Sequence, residues 1–186
     1  MTIVRKKKFF KALAVCTVAL MFSASTLIIN AEAASVAYPD GDASATGVNS
    51  TAVGSGANAE GNLSTAVGNG AHTDAQHEGT AVGYNAQTSG YQATASGSGA
   101  QATAMRATAT GGAAGASSVR ATASGDNAEA SNEDSTATGA NASASGTRSS
   151  AYGNAARASA LESTAVGDGA IAEANHSSAF GVGALA

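Results

Sequence analysis

The chain is built from a short sequence unit that recurs along most of its length. In ten copies a glycine is preceded by alanine two residues earlier and followed by another alanine three residues later. Successive glycines are separated by a constant fourteen-residue interval, except for one fifteen-residue interval between Gly68 and Gly83. The repeated alanine and glycine pairs are Ala52, Gly54, Ala66, Gly68, Ala81, Gly83, Ala95, Gly97, Ala109, Gly111, Ala123, Gly125, Ala137, Gly139, Ala151, Gly153, Ala165, Gly167, Ala179 and Gly181. Such a period predicts a repeat architecture with one structural unit per copy.

Each copy contains two half-repeats, T-A-x-G and A-x-A-x-G/A. The second half alternates small and mostly polar residues, such as Asn58, Gln87 and Glu129, which is typical of a strand with an outward polar face. The glycines fall where the chain must turn, because glycine adopts positive φ without steric cost. Two short strands and two turns predict one coil of an all-β parallel solenoid. At ~4.8 Å per coil, ten coils give a rod about 48 Å long.

The interior of so short a coil has room for methyl groups and little else. Burying an alanine methyl contributes under ~1 kcal/mol, at ~25 cal/mol per Å². A disordered low-complexity chain is the other interpretation of this composition, but disorder does not require alanine at fixed positions ten times over. We therefore expect a marginally stable rod that associates with copies of itself along its length.

The N-terminus has a different composition from the repeats. MTIVRKKKFFK carries five positive charges, residues 12–29 are mostly apolar, and Ala31 and Ala33 form an A-x-A site. This order predicts a helical secretory signal peptide over residues 1–33, cleaved after Ala33. A lead-in at 34–42 and repeats over 43–186 would follow. An uncleaved membrane anchor and a lipoprotein acylated at Cys16 are the alternatives.

Cleavage would change the charge of the protein. Of nine basic and thirteen acidic residues, residues 1–33 contain five and one, which leaves four arginines, twelve carboxylates and a formal net charge of −8. The only cysteine would also be removed, so no disulfide is expected. An acidic chain with no basic run is not expected to bind nucleic acid or to contact a membrane through its repeats.

Several copies resemble a known family. STAVG at 50–54 and 64–68, TAVG at 80–83 and 164–167, and SAFGVGALA at 178–186 are similar to the YadA-like head repeats of trimeric autotransporter adhesins, whose motif is close to N-S-V-A-I-G. The resemblance covers 43–186. It implies a left-handed parallel β-roll, a homotrimer at the cell surface of a Gram-negative-type bacterium, and adhesion to extracellular matrix, host cells or other bacteria as part of virulence.

The chain departs from that family in two respects. The first valine of the motif is threonine in eight copies, and the isoleucine is valine, serine, threonine, tyrosine or phenylalanine. The family continues into a coiled-coil stalk and a membrane anchor, and no heptads are present here. Two interpretations stay open, an anchored head that belongs to a longer chain and a head that is secreted.

The residue types that bind metal ions occur together in the repeat unit with the fifteen-residue interval. His72, Asp74, His77 and Glu78 are a weak metal-site candidate, and a bulged coil with a polar loop is the alternative. The glycines lack the lysine and helix of a phosphate loop, and no Ser-His-acid arrangement can be identified. No enzymatic activity and no cofactor are therefore expected.

The four aromatic residues of the repeats fall into two groups. Tyr152 and Phe180 occupy the isoleucine position of the motif, and we expect them to fill or cap the solenoid. Tyr84 and Tyr91 follow turns and could be contact points for a partner or purely structural.

Three functions fit a rod of this kind. The first is an adhesin head that binds a matrix protein or a cell-surface receptor. The second is a spacer without a ligand. The third is an ice-binding solenoid, because the threonine of each copy would form a column with the spacing of strands. The sequence identifies neither the ligand nor the residues that bind it.

Overall fold

The computed structural model describes residues 28–30, 35–38, 42–74 and 78–186. Every regular element in these ranges is a β-strand. The strands are β1 (Ile28–Asn30), β2 (Ser35–Tyr38), β3 (Ser44–Ala45), β4 (Thr51–Val53), β5 (Asn58–Ala59), β6 (Thr65–Val67), β7 (His72–Thr73), β8 (Thr80–Val82), β9 (Gln87–Thr88), β10 (Thr94–Ser96), β11 (Gln101–Ala102), β12 (Thr108–Thr110), β13 (Gly115–Ala116), β14 (Thr122–Ser124), β15 (Glu129–Ala130), β16 (Thr136–Thr138), β17 (Ser143–Ala144), β18 (Ser150–Tyr152), β19 (Arg157–Ala158), β20 (Thr164–Val166), β21 (Ile171–Ala172) and β22 (Ser178–Phe180).

The strands form two sheets that run along the same rod. A twelve-stranded sheet has the order β1-β2-β4 and then every even strand to β22, and a ten-stranded sheet contains every odd strand from β3 to β21. Each coil contributes one strand to each sheet, except the last, which contributes β22 alone. Apart from the antiparallel pair β1–β2, the pairs in the described part of the chain are parallel. The predicted parallel solenoid, with two strands in each repeat unit, is confirmed.

The register stacks like residues on like residues. Ala95 pairs with Ala81 on one side and with Ala109 on the other. The longer unit keeps this register, since Ala66 still pairs with Ala81. The extra residue therefore lies in the connection between β7 and β8, where residues 75–77 are outside the described residues. It adjusts a turn and leaves both sheets continuous.

The core consists of small side chains. We number the residues of a coil from 1 to 14, so that the fourth coil runs from Ala93 to Arg106. The side chains at positions 1, 3, 8 and 10 point inward, and in this coil they are four fully buried alanines. In four coils the serine at position 1 donates its hydroxyl to the carbonyl three residues earlier, as Ser50 does to Gly47 at 2.7 Å. The inward polar group is thereby satisfied within its own turn.

The glycine at position 5 is required for two reasons. All ten of these glycines have φ between 118° and 141°, a conformation that other residues rarely adopt. A Cβ on Gly54 would also lie 2.7 Å from the carbonyl oxygen of Gly68 in the next coil. The close approach of successive turns therefore excludes a side chain at this position wherever another coil follows.

One expectation from the sequence is wrong. Tyr152 and Phe180 neither fill nor cap the solenoid, because they lie on the outer face of the twelve-stranded sheet with 42% and 68% of their surfaces exposed. Strand alternation is the reason, since an inward alanine at position 3 forces positions 2 and 4 outward. The same geometry places the polar residues at position 4 of the fourth and fifth coils, Ser96 and Thr110, outside a core that in these two coils is all alanine.

The third coil has a different core from the others. Thr88 replaces alanine at position 10, is 2% exposed, and has a hydroxyl without a hydrogen-bond partner. Position 1 of the same coil is Gly79, and a Cβ there would lie 2.7 Å from the Thr88 hydroxyl oxygen. In the second coil Thr73 instead donates a 3.0 Å hydrogen bond to Ser64 at position 1. Positions 1 and 10 thus oppose each other across the core.

The N-terminal strands extend the rod by one coil. In β2, Ala37 pairs with Ala52 and is buried, so the lead-in continues the alanine column. Of the predicted signal peptide, residues 1–27 and 31–33 lie outside the described residues, and residues 28–30 form β1 and not the predicted helix. None of the described segments forms a helix with the length and hydrophobicity that a membrane crossing needs.

Candidate functional site

The rod presents two sheet faces and two turn edges. On the outer face of the twelve-stranded sheet, position 2 is threonine or serine in every coil and position 4 varies. The residues at position 4 are Val53, Val67, Val82, Ser96, Thr110, Ser124, Thr138, Tyr152, Val166 and Phe180. This face therefore has an apolar stretch at each end and a hydroxyl-rich stretch between them.

The threonine column of this face bears on the ice-binding hypothesis. Threonines or serines do stack from β4 to β22 on the outer face. Tyr152 and Phe180 project from the same face, as their exposure shows. A surface that matches an ice plane must be flat, so these two side chains count against ice binding.

The outer face of the ten-stranded sheet is mostly polar. Position 9 carries residues such as Gln101, Glu129 and Arg157, all exposed. Gly115 interrupts the column and leaves an open notch of about 240 Å³ beside Gln101 and Glu129. The residues that line the notch include a hydroxyl, that of Ser117, and the Glu129 carboxylate, but no histidine.

A ladder of long side chains runs along the turn edge that follows the ten-stranded sheet. It is formed by position 14 of successive coils, and we call it the edge ladder. Its members are Leu63, Glu78, Gln92, Arg106, Arg120, Asp134, Arg148, Glu162 and His176. All nine have φ between 55° and 64°, although none is glycine. The sequence contains these residues at the spacing of the repeat. That they lie one above another is seen only in the structure, where the turns bring them to one edge of the rod.

Ion pairs connect neighbouring members of the edge ladder. Arg120 contacts Asp134 at 2.5 Å and Glu133 at 2.7 Å, and Arg148 contacts Glu162 at 2.6 Å. The hydrogen bonds from Arg120 lower the pKa of the Asp134 carboxyl, and the same bonds raise the pKa of the guanidinium. These groups are solvent-exposed, so each pair contributes little to stability.

Three of the four candidate metal ligands can be placed. His72 lies on β7 with its side chain on the outer face, Asp74 follows it, and Glu78 belongs to the edge ladder. His77 lies outside the described residues. Among the residues described, no group of three or more histidine, cysteine, aspartate or glutamate side chains is arranged to hold a metal ion. The structure thus assembles no metal centre from the three that it places.

Tyr84 and Tyr91 occupy different turn edges. Tyr84 lies at position 6, on the turn that follows the twelve-stranded sheet, and is 59% exposed. Tyr91 lies at position 13, next to the edge ladder, and is 37% exposed. Neither is part of the core. Both are accessible for contact with another molecule.

Comparison with known proteins identifies the repeats. The family model for the YadA head domain repeat, which spans two copies of the unit, matches the chain seven times. The matched residues are 45–71, 77–100, 89–114, 116–142, 130–156, 144–170 and 158–184. The break between the first two matches falls within the longer unit. No curated protein matches the chain. Because the matches span more than half of the residues with the period that the coils show, the chain belongs to the family of YadA head domain repeats.

Proposed function

We propose that the chain is the binding head of a homotrimeric surface adhesin. After export and removal of residues 1–33, it would attach a bacterial cell to an extracellular matrix protein, a host-cell receptor or another bacterium, as a virulence factor. The support is the family itself, whose head repeats belong to adhesin-like surface proteins of the trimeric autotransporter type. The family favours a head displayed at the outer membrane, and a secreted head is the alternative.

The observation that carries the proposal is the division between a constant core and a variable surface. The inward positions hold alanine, serine, threonine or glycine along the whole rod, whereas positions 9, 13 and 14 change from coil to coil. Solenoids of this kind offer extended binding surfaces. Such a scaffold suits a protein that displays side chains to another macromolecule.

The outer face of the twelve-stranded sheet is the best candidate for contact between copies. It carries the apolar residues of position 4, and Val82, Tyr152 and Phe180 are all exposed in the single chain. The ten-stranded sheet presents mostly polar side chains instead. Packing the apolar face against other copies would remove this surface from water and stabilise a rod whose own core is only small side chains.

A matched pair of variants tests this contact. Val166 and Ile171 are half-buried residues of one coil, on β20 and β21, and lie on opposite outer faces. Val166→Asp should dissociate the assembly, because it places a charge in the proposed contact between copies, while Ile171→Asp should leave it intact. Sedimentation equilibrium of the exported protein distinguishes them. Equal behaviour of the two variants would contradict the assignment of faces.

Adhesion itself is tested with the exported protein coupled to beads. We expect beads that carry the protein to adhere to a surface coated with matrix proteins or to cultured cells, and albumin-coated beads not to adhere. A protein that adheres to neither surface would support the spacer interpretation. Thermal hysteresis in a freezing solution would support ice binding instead.

A further inference from the structure

Arg106 is unusual among the arginines that the structure describes. Arg120, Arg148 and Arg157 each lie within ion-pair distance of a carboxylate, at 2.5, 2.6 and 3.7 Å respectively. Arg106 has no carboxylate that close among the described residues. Its one hydrogen bond within them runs from Nε to Gln92 Oε1 at 3.4 Å, so its two terminal nitrogens remain free to bind another molecule.

The guanidinium is held by its neighbours in the edge ladder. Gln92 donates from Nε2 to Glu78 Oε2 at 2.7 Å, which orients the amide so that its oxygen faces Arg106. On the other side stands Arg120, whose charge is neutralised by Glu133 and Asp134. Arg106 is thus positioned by contacts that leave its charge uncompensated.

Apolar side chains lie directly beside this cation. Position 13 is Tyr91, Met105 and Val119 in three successive coils, at 37% exposed, 42% exposed and half-buried respectively. Coils are spaced by ~4.8 Å, so this apolar stripe extends for about 10 Å along the rod. Exposed apolar groups next to an unpaired guanidinium are typical of residues that carry binding energy in protein interfaces.

The backbone gives a separate reason to regard this edge as functional. Positions 7 and 14 both adopt positive φ, but position 7 is only glycine, asparagine or alanine, whereas position 14 holds long side chains such as Arg106 at a steric cost. At Arg120 and Arg148 the ion pairs account for a long side chain. No such pair in the described coils accounts for Arg106, and strained residues without a structural reason are often functional.

We propose that Tyr91, Met105, Arg106 and Val119 form a docking surface, the Arg106 patch, for an acidic segment of a partner protein with apolar side chains beside its carboxylates. The carboxylate would bind the free nitrogens of Arg106, and the apolar side chains would cover the stripe. This rests on the proposed adhesin function and names the chemistry of its partner. A polyanion such as nucleic acid or an anionic membrane fits less well, because the patch offers one unpaired cation and its other residues are apolar or aromatic.

Synthetic peptides test the patch on the exported protein. The probes are a peptide of alternating glutamate and leucine, a glutamine–leucine peptide that lacks the charge, and a glutamate–serine peptide that lacks the apolar side chains. We expect the glutamate–leucine peptide to bind and each other peptide to bind about tenfold more weakly or worse. Failure of the glutamate–leucine peptide to bind, or equal binding of all three, would overturn the proposal.

Variants then locate the binding. Arg106→Gln should weaken the glutamate–leucine peptide about tenfold, and Met105→Ser should weaken it as well. Arg157→Gln is the matched control, since it removes the same charge from the ten-stranded sheet and should have no effect. Equal losses for Arg106→Gln and Arg157→Gln would show a general charge effect and contradict the patch.

Two further readouts separate this proposal from its alternatives. If Arg106→Gln dissociates the assembly in sedimentation, the patch is a contact between copies and the proposal is wrong. The proposal also fails if Arg106→Gln removes binding to heparin or to phosphatidylserine vesicles and leaves peptide binding unchanged. Beads of wild type and Arg106→Gln are compared for adhesion in parallel. If beads with Arg106→Gln adhere as well as beads with the wild type, the Arg106 patch is refuted and the proposed function is not. If beads with the wild type do not adhere, the proposed function is refuted.

Discussion

Replacing Gly79 by alanine tests the packing of the solenoid core most sharply. Position 1 is serine or alanine in the other nine coils, and Gly79 has no positive φ, so its backbone accepts a side chain. The obstacle is Thr88, whose hydroxyl oxygen would lie 2.7 Å from the new Cβ. Overpacking of this kind costs ~1–3 kcal/mol. The loss of unfolded-state freedom returns ~0.4–1 kcal/mol. We expect Gly79→Ala to destabilise the protein by about 1–2 kcal/mol.

The effect of Gly79→Ala on stability should change from unfavourable to favourable when Thr88 is replaced by alanine. The fourth coil has alanine at both positions, Ala93 and Ala102, and both are fully buried, so the pair fits the same backbone. In a Thr88→Ala background, Gly79→Ala should therefore stabilise the protein by ~0.4–1 kcal/mol. The coupling between the two sites should amount to about 1–3 kcal/mol.

A double-mutant cycle measured by denaturant unfolding, at one fixed protein concentration, provides the assay. Fixing the concentration is necessary because association shifts the apparent stability by mass action. If Gly79→Ala changes the free energy of unfolding equally in both backgrounds, positions 1 and 10 do not compete for space. The proposed opposition of these positions across the core would then be wrong.

Three further predictions concern the core, the N-terminus and the edge ladder. Ala109→Leu should destabilise the protein by ~1–3 kcal/mol in thermal melts, whereas the outward Gln101→Leu should not, and equal shifts would contradict the assigned faces. N-terminal sequencing of exported protein should begin near Ala34, and a sequence that begins at residue 1 would refute cleavage. Because Arg120 lowers the Asp134 pKa below its ordinary 3.8, this pair stabilises the fold above that pH and loses its effect as pH falls through the lowered value. The stability difference between wild type and Arg120→Gln should therefore shrink in acid, and a difference that grows would contradict the pairing.

Most of what could be predicted about the fold follows from the fourteen-residue repeat. Alanine and glycine at fixed positions specify a coil with a methyl-lined interior and turns of positive φ, as Ala95 and Gly97 show. The error at Tyr152 and Phe180 was avoidable, since strand alternation alone places the neighbours of an inward alanine outside. That error came from treating large aromatic groups as core residues by their type.

The edge ladder and the contact between Gly79 and Thr88 across the core could not be predicted from the sequence in the same way. Both depend on which positions of a coil face each other, and this follows from the turn geometry and not from the hydrophobic pattern. Arg106 illustrates the point. Its lack of a carboxylate partner among the described residues emerges only when Gln92 and Arg120 are placed as its neighbours.

The central claim is that an alanine-cored rod is stable only through association of its copies. Each coil buries little more than methyl groups, while ordering a residue's backbone costs ~1–2 kcal/mol. Sedimentation equilibrium of the exported protein over a wide dilution series measures its association. Far-ultraviolet circular dichroism on the same samples measures its β structure. The account predicts a trimer that loses its β signal as dilution dissociates it. A monomer that keeps its β signal at every concentration would contradict it.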